Sequence, residues 1–277
     1  MKVIRTIAEV KAAAVAARAA GQRIGWVGTS GALHDGHLSL VRHAAADNEL
    51  VLMFWTGEMA FSWTQKSNPS YPRDHARDLA MAEGAGVDVL YIPDGAEIYP
   101  QPPVTRVTTP SLHRDGLTDP EHLDVVSLFM TKFLNIIGGC SCYMGEKDWQ
   151  QLVMMRQLSI DLSLPVDRFV VSPTVRDPDG VPLSSRNIKL TPEHRRAAAI
   201  VPRSLEAAAK AVADGERDAA KVREVIVAAV EPVAPVVYAK VLSETLQDVT
   251  VLQGPIRLMA CADFGGVEIL DNLGVTV

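Results

Sequence analysis

The residues best suited to chemistry sit in three short stretches, each placed after an apolar segment. The first is Gly28-Thr29-Ser30-Gly31-Ala32-Leu33-His34-Asp35-Gly36-His37. A glycine-rich turn between a strand and a helix brings backbone N–H groups close to a phosphate. The spacing of His34 and His37 puts both on one helical face, and Gly36 between them leaves the backbone open to a nucleotide. Two imidazoles there can donate hydrogen bonds to a triphosphate and steady the charge that develops on it. A metal-ligand pair and two surface histidines are the alternatives; the glycine-rich turn after an apolar strand favours the nucleotide. The second stretch is Gly145-Glu146-Lys147-Asp148-Trp149-Gln150-Gln151. A lysine at a helix start opposes the macrodipole unless an anion sits there, and a phosphate would be that anion. Asp148 is placed to cap the helix, and Gln151 is spaced to face the same cleft. The third is Leu183-Ser184-Ser185-Arg186-Asn187, whose two hydroxyls and guanidinium can wrap a phosphate group. As a lone motif the third is weak, since Ser-Ser-Arg occurs by chance in many loops, and the three stretches together are worth more than any one of them.

The elements that must position these residues follow from periodicity and turn signals. Short apolar strands are predicted at 2–5, 24–27, 49–55, 87–92, 141–144 and 168–172. Helices are predicted between them at 6–20, 38–46, 73–85, 122–137 and 148–162. Several strands are apolar throughout, so the alternation implies a parallel sheet covered on both faces, an α/β Rossmann-like arrangement. Ligands of such folds bind beyond the C-terminal ends of the strands, at a topological switch point. The first two stretches sit there. Past residue 174 the pattern changes to helices at 192–213 and 218–230, then strands at 236–242, 256–262 and 267–270. That order predicts a smaller α+β domain, with domains at 1–174 and 175–277. Arg176-Asp177-Pro178-Asp179-Gly180 is rich in turn signals and reads as a hinge region.

Composition narrows the class. The chain has 277 residues, 48% hydrophobic and 22% charged, and a formal net charge of −6. These values suit a globular protein with a sizeable core and give no basic footprint for nucleic acid. The three cysteines, Cys140, Cys142 and Cys261, do not suggest a disulfide framework; Cys140 and Cys142 read as alternating positions of a buried strand. No signal peptide and no membrane-length apolar run is visible, so the cytoplasm is the expected location.

Taken together, these stretches resemble the pantothenate synthetase (pantoate–β-alanine ligase) family of the nucleotidyltransferase superfamily. The resemblance covers nearly the whole chain. It also takes in Tyr71-Pro72-Arg73, Pro173-Thr174-Val175-Arg176 and Asp271-Asn272. It implies a Rossmann-like domain, a smaller C-terminal lid domain and a homodimer. It further implies two-step chemistry with ATP and magnesium. The acid and ATP give an acyl-adenylate and diphosphate, and an amine then gives an amide and AMP. ATP binding is assigned to Ser30, Gly31, His34, Gly36, His37, Gly145, Lys147, Asp148, Val175, Leu183, Ser184, Ser185 and Arg186. Of these, His34, His37, Lys147 and Arg186 are the expected catalytic residues, stabilising phosphoryl charge. His37 matches the family's proton donor, but carboxylate attack needs no proton abstraction, so its role reads as transition-state hydrogen bonding. The acid and amine are expected to meet Thr29, Thr56, Met59, Asp119, His122, Val125 and Gln151. No metal site made of protein side chains, no nucleic acid and no membrane partner is expected.

Apart from Gly28 and Ser30 at the start of the first stretch, the departures from the family pattern lie away from the ATP stretches. Gly28-Thr29-Ser30 stands where the family has Pro-Thr-Met. Phe54-Trp55-Thr56-Gly57-Glu58-Met59-Ala60-Phe61 stands for Phe-Val-Asn-Pro-x-Gln-Phe. The family glutamine falls on Met59, or on Ala60 with one inserted residue, and neither is an amide. Asp119 replaces an arginine, with Glu121 beside it, and Val125 replaces a glycine. A site built to bond a substrate hydroxyl discriminates by about 10⁴ or more, and a carboxylate amine would meet repulsion at Asp119. The sequence therefore reads first as an adenylate-forming ligase whose acid, amine or both have changed. Its main rival is an authentic pantothenate synthetase with compensating residues. A nucleotidyltransferase that forms no amide, or an ATP-binding protein without ligase activity, is the remaining alternative.

Overall fold

The computed structural model describes residues 1–55, 74–93, 95–112, 117 and 120–277. Thr56, Met59, Asp119 and the 71–73 stretch lie outside the described residues. The chain divides into two compact units, one made of 1–114 and 118–173, the other of 115–117 and 174–277.

Strands of the first unit are β1 (Lys2–Ile4), β2 (Ile24–Thr29), β3 (Leu50–Trp55), β4 (Val89–Tyr91), β5 (Cys140–Gly145) and β6 (Val166–Ser172). They form one sheet in the order β1-β4-β3-β2-β5-β6, with every neighbouring pair parallel. The helices between them are α1 (Ile7–Ala19), α2 (Asp35–Asp47), α3 (His75–Ala85), the single turn α4 (Gly95–Ile98), α5 (Pro120–Ile137) and α6 (Trp149–Asp161). This is the α/β arrangement that the alternation predicts. β2, β3 and β5 are buried almost throughout, as continuous apolar strands covered on both faces must be. Cys140 and Cys142 sit in β5 as free, fully buried residues.

α5 presents Leu123, Val126, Met130, Phe133, Leu134 and Ile137 inward at helical spacing. Phe133 is the hub of a ring cluster, 4.2 Å from Phe54 and 4.1 Å from Phe129 between centroids. The far end of α2 is tied down by polar groups. Buried Asn48 donates to the Ala44 carbonyl and to the Tyr143 hydroxyl, and Tyr143 donates to Asp47, which also pairs with Arg168. The start of the helix that carries the histidines is thereby fixed from its opposite end.

The second unit packs α7 (Pro192–Ala197), α8 (Ile200–Ala213) and α9 (Ala219–Val230) with an antiparallel sheet in the order β7-β8-β9. Those strands are β7 (Val236–Ser243), β8 (Pro255–Asp263) and β9 (Glu268–Thr276). Val201, Leu205, Val222, Ile226, Leu258 and Ala260 form the centre of its core.

Three predicted boundaries move for identifiable reasons. The helix expected over 192–213 is broken at Ala198–Ala199, because Pro202 has no N–H to give the Ala198 carbonyl and is tolerated only in a first turn. The helix expected from residue 38 begins at Asp35, since His34 caps it. The strand expected over 267–270 runs on to Thr276, paired with β8 along its length. Among the described residues, no helix is long and apolar enough to cross a membrane.

Candidate active site

β2 and β5 are neighbours in the sheet, with Trp26 level with Cys142 and Val27 with Tyr143. From β2 the chain proceeds through β3 and β4 toward one edge, and from β5 through β6 to the other. The turn after β2 and the turn after β5 therefore flank the topological switch point, where α/β proteins bind ligands. Both belong to stretches picked out from the sequence.

The turn after β2 is built for close approach. Thr29, buried, accepts the Gly31 N–H at its hydroxyl, 3.2 Å away. Gly31 takes φ +90° and Ala32 φ +51°, a left-handed pair that turns the chain from strand into helix. Only glycine fits at position 31. A Cβ there would lie 2.2 Å from the Trp55 indole nitrogen, whose N–H donates to the Ser30 carbonyl at 3.2 Å. Trp55 is level with Thr29 at the end of β3, and its ring lies 4.8 Å from that of His75, tilted by 48°. Below the turn, the buried carboxylate of Asp78 on α3 accepts the Leu33 N–H at 3.0 Å.

His34 is the N-cap of α2, and its Nδ1 accepts the Gly36 N–H at 3.1 Å. A neutral ring that accepts at Nδ1 carries its proton on Nε2, so the outer nitrogen is a donor. His37 stands one turn on, with the ring centroids 4.0 Å apart, so the shared face expected from the spacing is present. Burial and then the charge of Lys147 push His34 down to about 4, with Asp35 opposing. Burial, then His34, then Lys147 push His37 down to about 3. Both rings are neutral near pH 7. Both rings feel the charge of Lys147, so the second stretch lies within electrostatic reach of the first.

Gly145 ends β5, and Glu146, Lys147 and Asp148 form a single 3₁₀ turn before α6. Asp148 is the N-cap of α6, yet its side chain makes no capping bond, which corrects the expected cap. With ψ +45° it lies outside the extended conformation from which a cap side chain reaches back to the N2 and N3 amides. Gln151 is half-buried in the first turn of α6, while Gln150 is buried and donates to the Leu112 carbonyl. His122 is exposed near the start of α5 and Val125 is buried in it.

In the second unit, Val175 and Leu183 face each other, the Leu183 N–H donating to the Val175 carbonyl at 3.0 Å. Ser184, Ser185 and Arg186 follow directly. The Ser184 hydroxyl accepts the Arg186 N–H at 3.2 Å, and Arg186 is exposed. The 176–180 segment, expected as a hinge region, is a tight turn wholly inside this unit. Asp177 and Val181 are bonded across it, and Gly180 takes φ +88° at its end.

Several residues of this site escaped the sequence. Asp78 is one acidic residue in an ordinary helix, and nothing in its spacing announces a bond to a turn 45 positions away. Trp55 was visible as a bulky departure, but not as the partner of Ser30 and Gly31. Among the described residues, no group of three His, Cys, Asp or Glu side chains is placed to hold a metal ion.

A neutral histidine pair at a helix N-terminus, within electrostatic reach of a lysine across the switch point, has the chemistry to receive an anion such as a polyphosphate. Comparison with known proteins identifies the family. Residues 2–274 match the pantoate-beta-alanine ligase family. The chain belongs to that family. It is 43% identical to pantothenate synthetase 1 of Frankia alni over 98% of this chain and 97% of that one. It is 40% identical to the pantothenate synthetase of Agrobacterium fabrum over 98% and 95%. Among solved structures, the pantothenate synthetase of Thermus thermophilus superposes with a TM-score of 0.88 at 32% identity, covering 99% of each chain. The pantoate-beta-alanine ligase of Francisella tularensis, complexed with beta-gamma ATP and beta-alanine, gives a TM-score of 0.72 at 26% identity, covering 99% and 97%. Relatives that bear the ordinary family name match the full length of the chain. They favour the rival reading, an authentic synthetase, over the changed-substrate reading taken first from the sequence.

Proposed function

We propose that this protein is a pantothenate synthetase, joining pantoate to β-alanine at the expense of ATP. The observation that carries the reading is the His34–His37 pair at the start of α2, within reach of the Lys147 charge across the β2/β5 switch point, in a chain of this family. A pantoate carboxylate oxygen attacks the α-phosphorus of ATP, the bond to the bridging oxygen breaks, and diphosphate leaves. The β-alanine nitrogen then attacks the acyl carbon of the adenylate. The acyl–oxygen bond breaks, AMP leaves, and the nitrogen loses a proton to give the amide.

The first step creates charge on the phosphoryl oxygens and removes no proton from the acid. Neutral N–H donors fit that need, because they stabilise the charge without first having to be protonated. His34 through Nε2–H, His37, Lys147 and the N-terminus of α2 are the groups proposed to meet the phosphates. Ser184, Ser185 and Arg186 are proposed to complete their binding, with Val175 and Leu183 supporting them. Gln151 and Thr29 are proposed to contact the acid. Magnesium is expected with the triphosphate, as is common for phosphate-bound magnesium. No metal-holding group of protein side chains is found among the described residues, and no step is assigned to the ion. A homodimer and a cytoplasmic location complete the proposal.

The test is diphosphate release by the purified protein with ATP, magnesium and D-pantoate, set against a panel of other small hydroxy and branched acids. Mass detection of the amide formed with β-alanine completes it. Strong pantoate-dependent release followed by pantothenate is expected. Weak release with pantoate and strong release with another acid would overturn the assignment and restore the changed-substrate reading.

A further inference from the structure

The segment from Val175 to Arg186 carries all of the second unit's proposed nucleotide contacts, and it is gripped from two sides. Its backbone is a small hairpin in which Arg176 pairs with Pro182 and Leu183 returns to Val175. On one side, the Arg176 guanidinium meets the Asp271 carboxylate through two nitrogens, at 2.5 and 3.0 Å, while one of them also donates to the Gly180 carbonyl at 3.0 Å. Asp271 lies in β9, level with Ala260 of β8, and its side chain is only 1% exposed. On the other side, Arg195 of α7 donates to Asp177 at 2.6 Å and to both oxygens of Asp179, at 2.7 and 3.0 Å. Asn187 closes the far end by donating to the Pro182 carbonyl at 3.0 Å.

We propose that Asp271 and Arg176, with Arg195 as the outer grip, are positioning residues that hold the Leu183–Arg186 loop in its ATP-binding conformation without touching substrate. The proposal rests on the reading of Ser184, Ser185 and Arg186 as phosphate-binding. Three features support it. A buried carboxylate in a strand is costly unless paired, and an apolar pair would serve a purely structural need as well. The two-pronged contact fixes direction as well as distance, and Arg176 is strand-paired to the residue just before Leu183. A loop held in advance does not have to be ordered when ATP binds.

The experiment uses the full chain, a non-hydrolysable ATP analogue and diphosphate release with pantoate. Asp271→Asn and Arg176→Lys are compared with Arg186→Ala, and Asp271→Asn is also made in the Arg186→Ala background. Misplacement of the loop is expected to weaken analogue binding and kcat/KM for ATP by ~10- to 100-fold, with KM for pantoate unchanged. In the Arg186→Ala background, Asp271→Asn is expected to cost several-fold less than in the wild type, because one of the contacts that the loop's position serves is already gone. Equal losses in both backgrounds, or an unchanged ATP affinity in folded Asp271→Asn, would overturn the proposal. If Asp271→Asn does not fold, Asp179→Asn at the exposed grip is carried through the same cycle and judged by the same outcomes. Analogue binding by the wild type without pantothenate formation refutes the assigned substrates and leaves the binding cycle decisive. Failure of the wild type to bind the analogue overturns both.

Discussion

Lowering the pH from 7.5 to 5 tests whether the histidine pair works uncharged. The His37 imidazole is held at about 3 by burial, with His34 and Lys147 adding to the effect. In the unfolded chain it returns to its ordinary value of 6.5. Below pH 6.5 the unfolded chain therefore takes up a proton that the folded chain refuses, and stability falls as the pH drops from 6.5 toward 3. By pH 5 the loss attributable to His37 is about 2 kcal/mol. His34, held at about 4, acts in the same direction; it keeps contact with solvent, and screening reduces its share. Urea unfolding at the two pH values, for wild type and His37→Gln, isolates the term: the variant should lose about 2 kcal/mol less than the wild type between them. Activity should behave differently, because neutral rings remain neutral across this range. The pH profile of kcat/KM for ATP in diphosphate release should show no inflection near 6.5 from either ring. Equal stability losses in wild type and variant, or an inflection near 6.5 that disappears in His37→Gln, would refute the reasoning.

Three further perturbations probe the frame around the site. Gly31→Ala forces a side chain to φ +90° and into the Trp55 indole. It should cost about 2–4 kcal/mol, from backbone strain plus the displaced indole hydrogen bond. In a Trp55→Val background only the strain should remain, about 1–2 kcal/mol, as read by urea unfolding. Asp78→Ala removes the acceptor of the Leu33 N–H and should destabilise by about 1–3 kcal/mol while raising KM for ATP; Asp78→Asn, which keeps an acceptor oxygen, should be the milder of the two in both assays. Phe133→Ala empties the centre of the ring cluster and should cost about 3–5 kcal/mol by thermal or urea unfolding, with little change in KM for ATP, pantoate or β-alanine.

The parallel sheet was legible because its strands are apolar on both faces and separated by amphipathic helices. The histidine pair was legible because three-residue spacing at a helix start is a local property. The glycine-rich turn was readable as a phosphate approach, but not the reason for its glycine. Gly31 is demanded by the Trp55 side chain from the next strand, a contact that no local pattern contains. The same holds for Asp78 beneath Leu33 and for Asp271 behind Arg176, which are pairs of ordinary residues until the chain folds. The 176–180 run shows the opposite error. Its turn residues were correctly read as a turn, but turn chemistry says nothing about stiffness, and here two arginines brace the turn through contacts with three carboxylates.

Two of the departures from the family pattern, Ser30 and Trp55, also change meaning once they are placed. Ser30 and Trp55 stand where the family has methionine and valine, and as separate substitutions each suggests a reshaped pocket. In the fold they meet: the indole N–H is satisfied by the Ser30 carbonyl, and the ring lies against the bare Cα of Gly31. Both contacts are with the backbone of the turn, so the bulk of Trp55 is accommodated by the Ser30 carbonyl and the missing side chain of Gly31. Neither change takes a donor or acceptor away from the His34, His37 and Lys147 cluster. Such a pair can arise while the site's outline and chemistry are retained, so difference in sequence here is weak support for difference in substrate. Similarity that runs through both units, to relatives bearing the ordinary name, is the stronger consideration, and it is why pantoate and β-alanine are the substrates proposed.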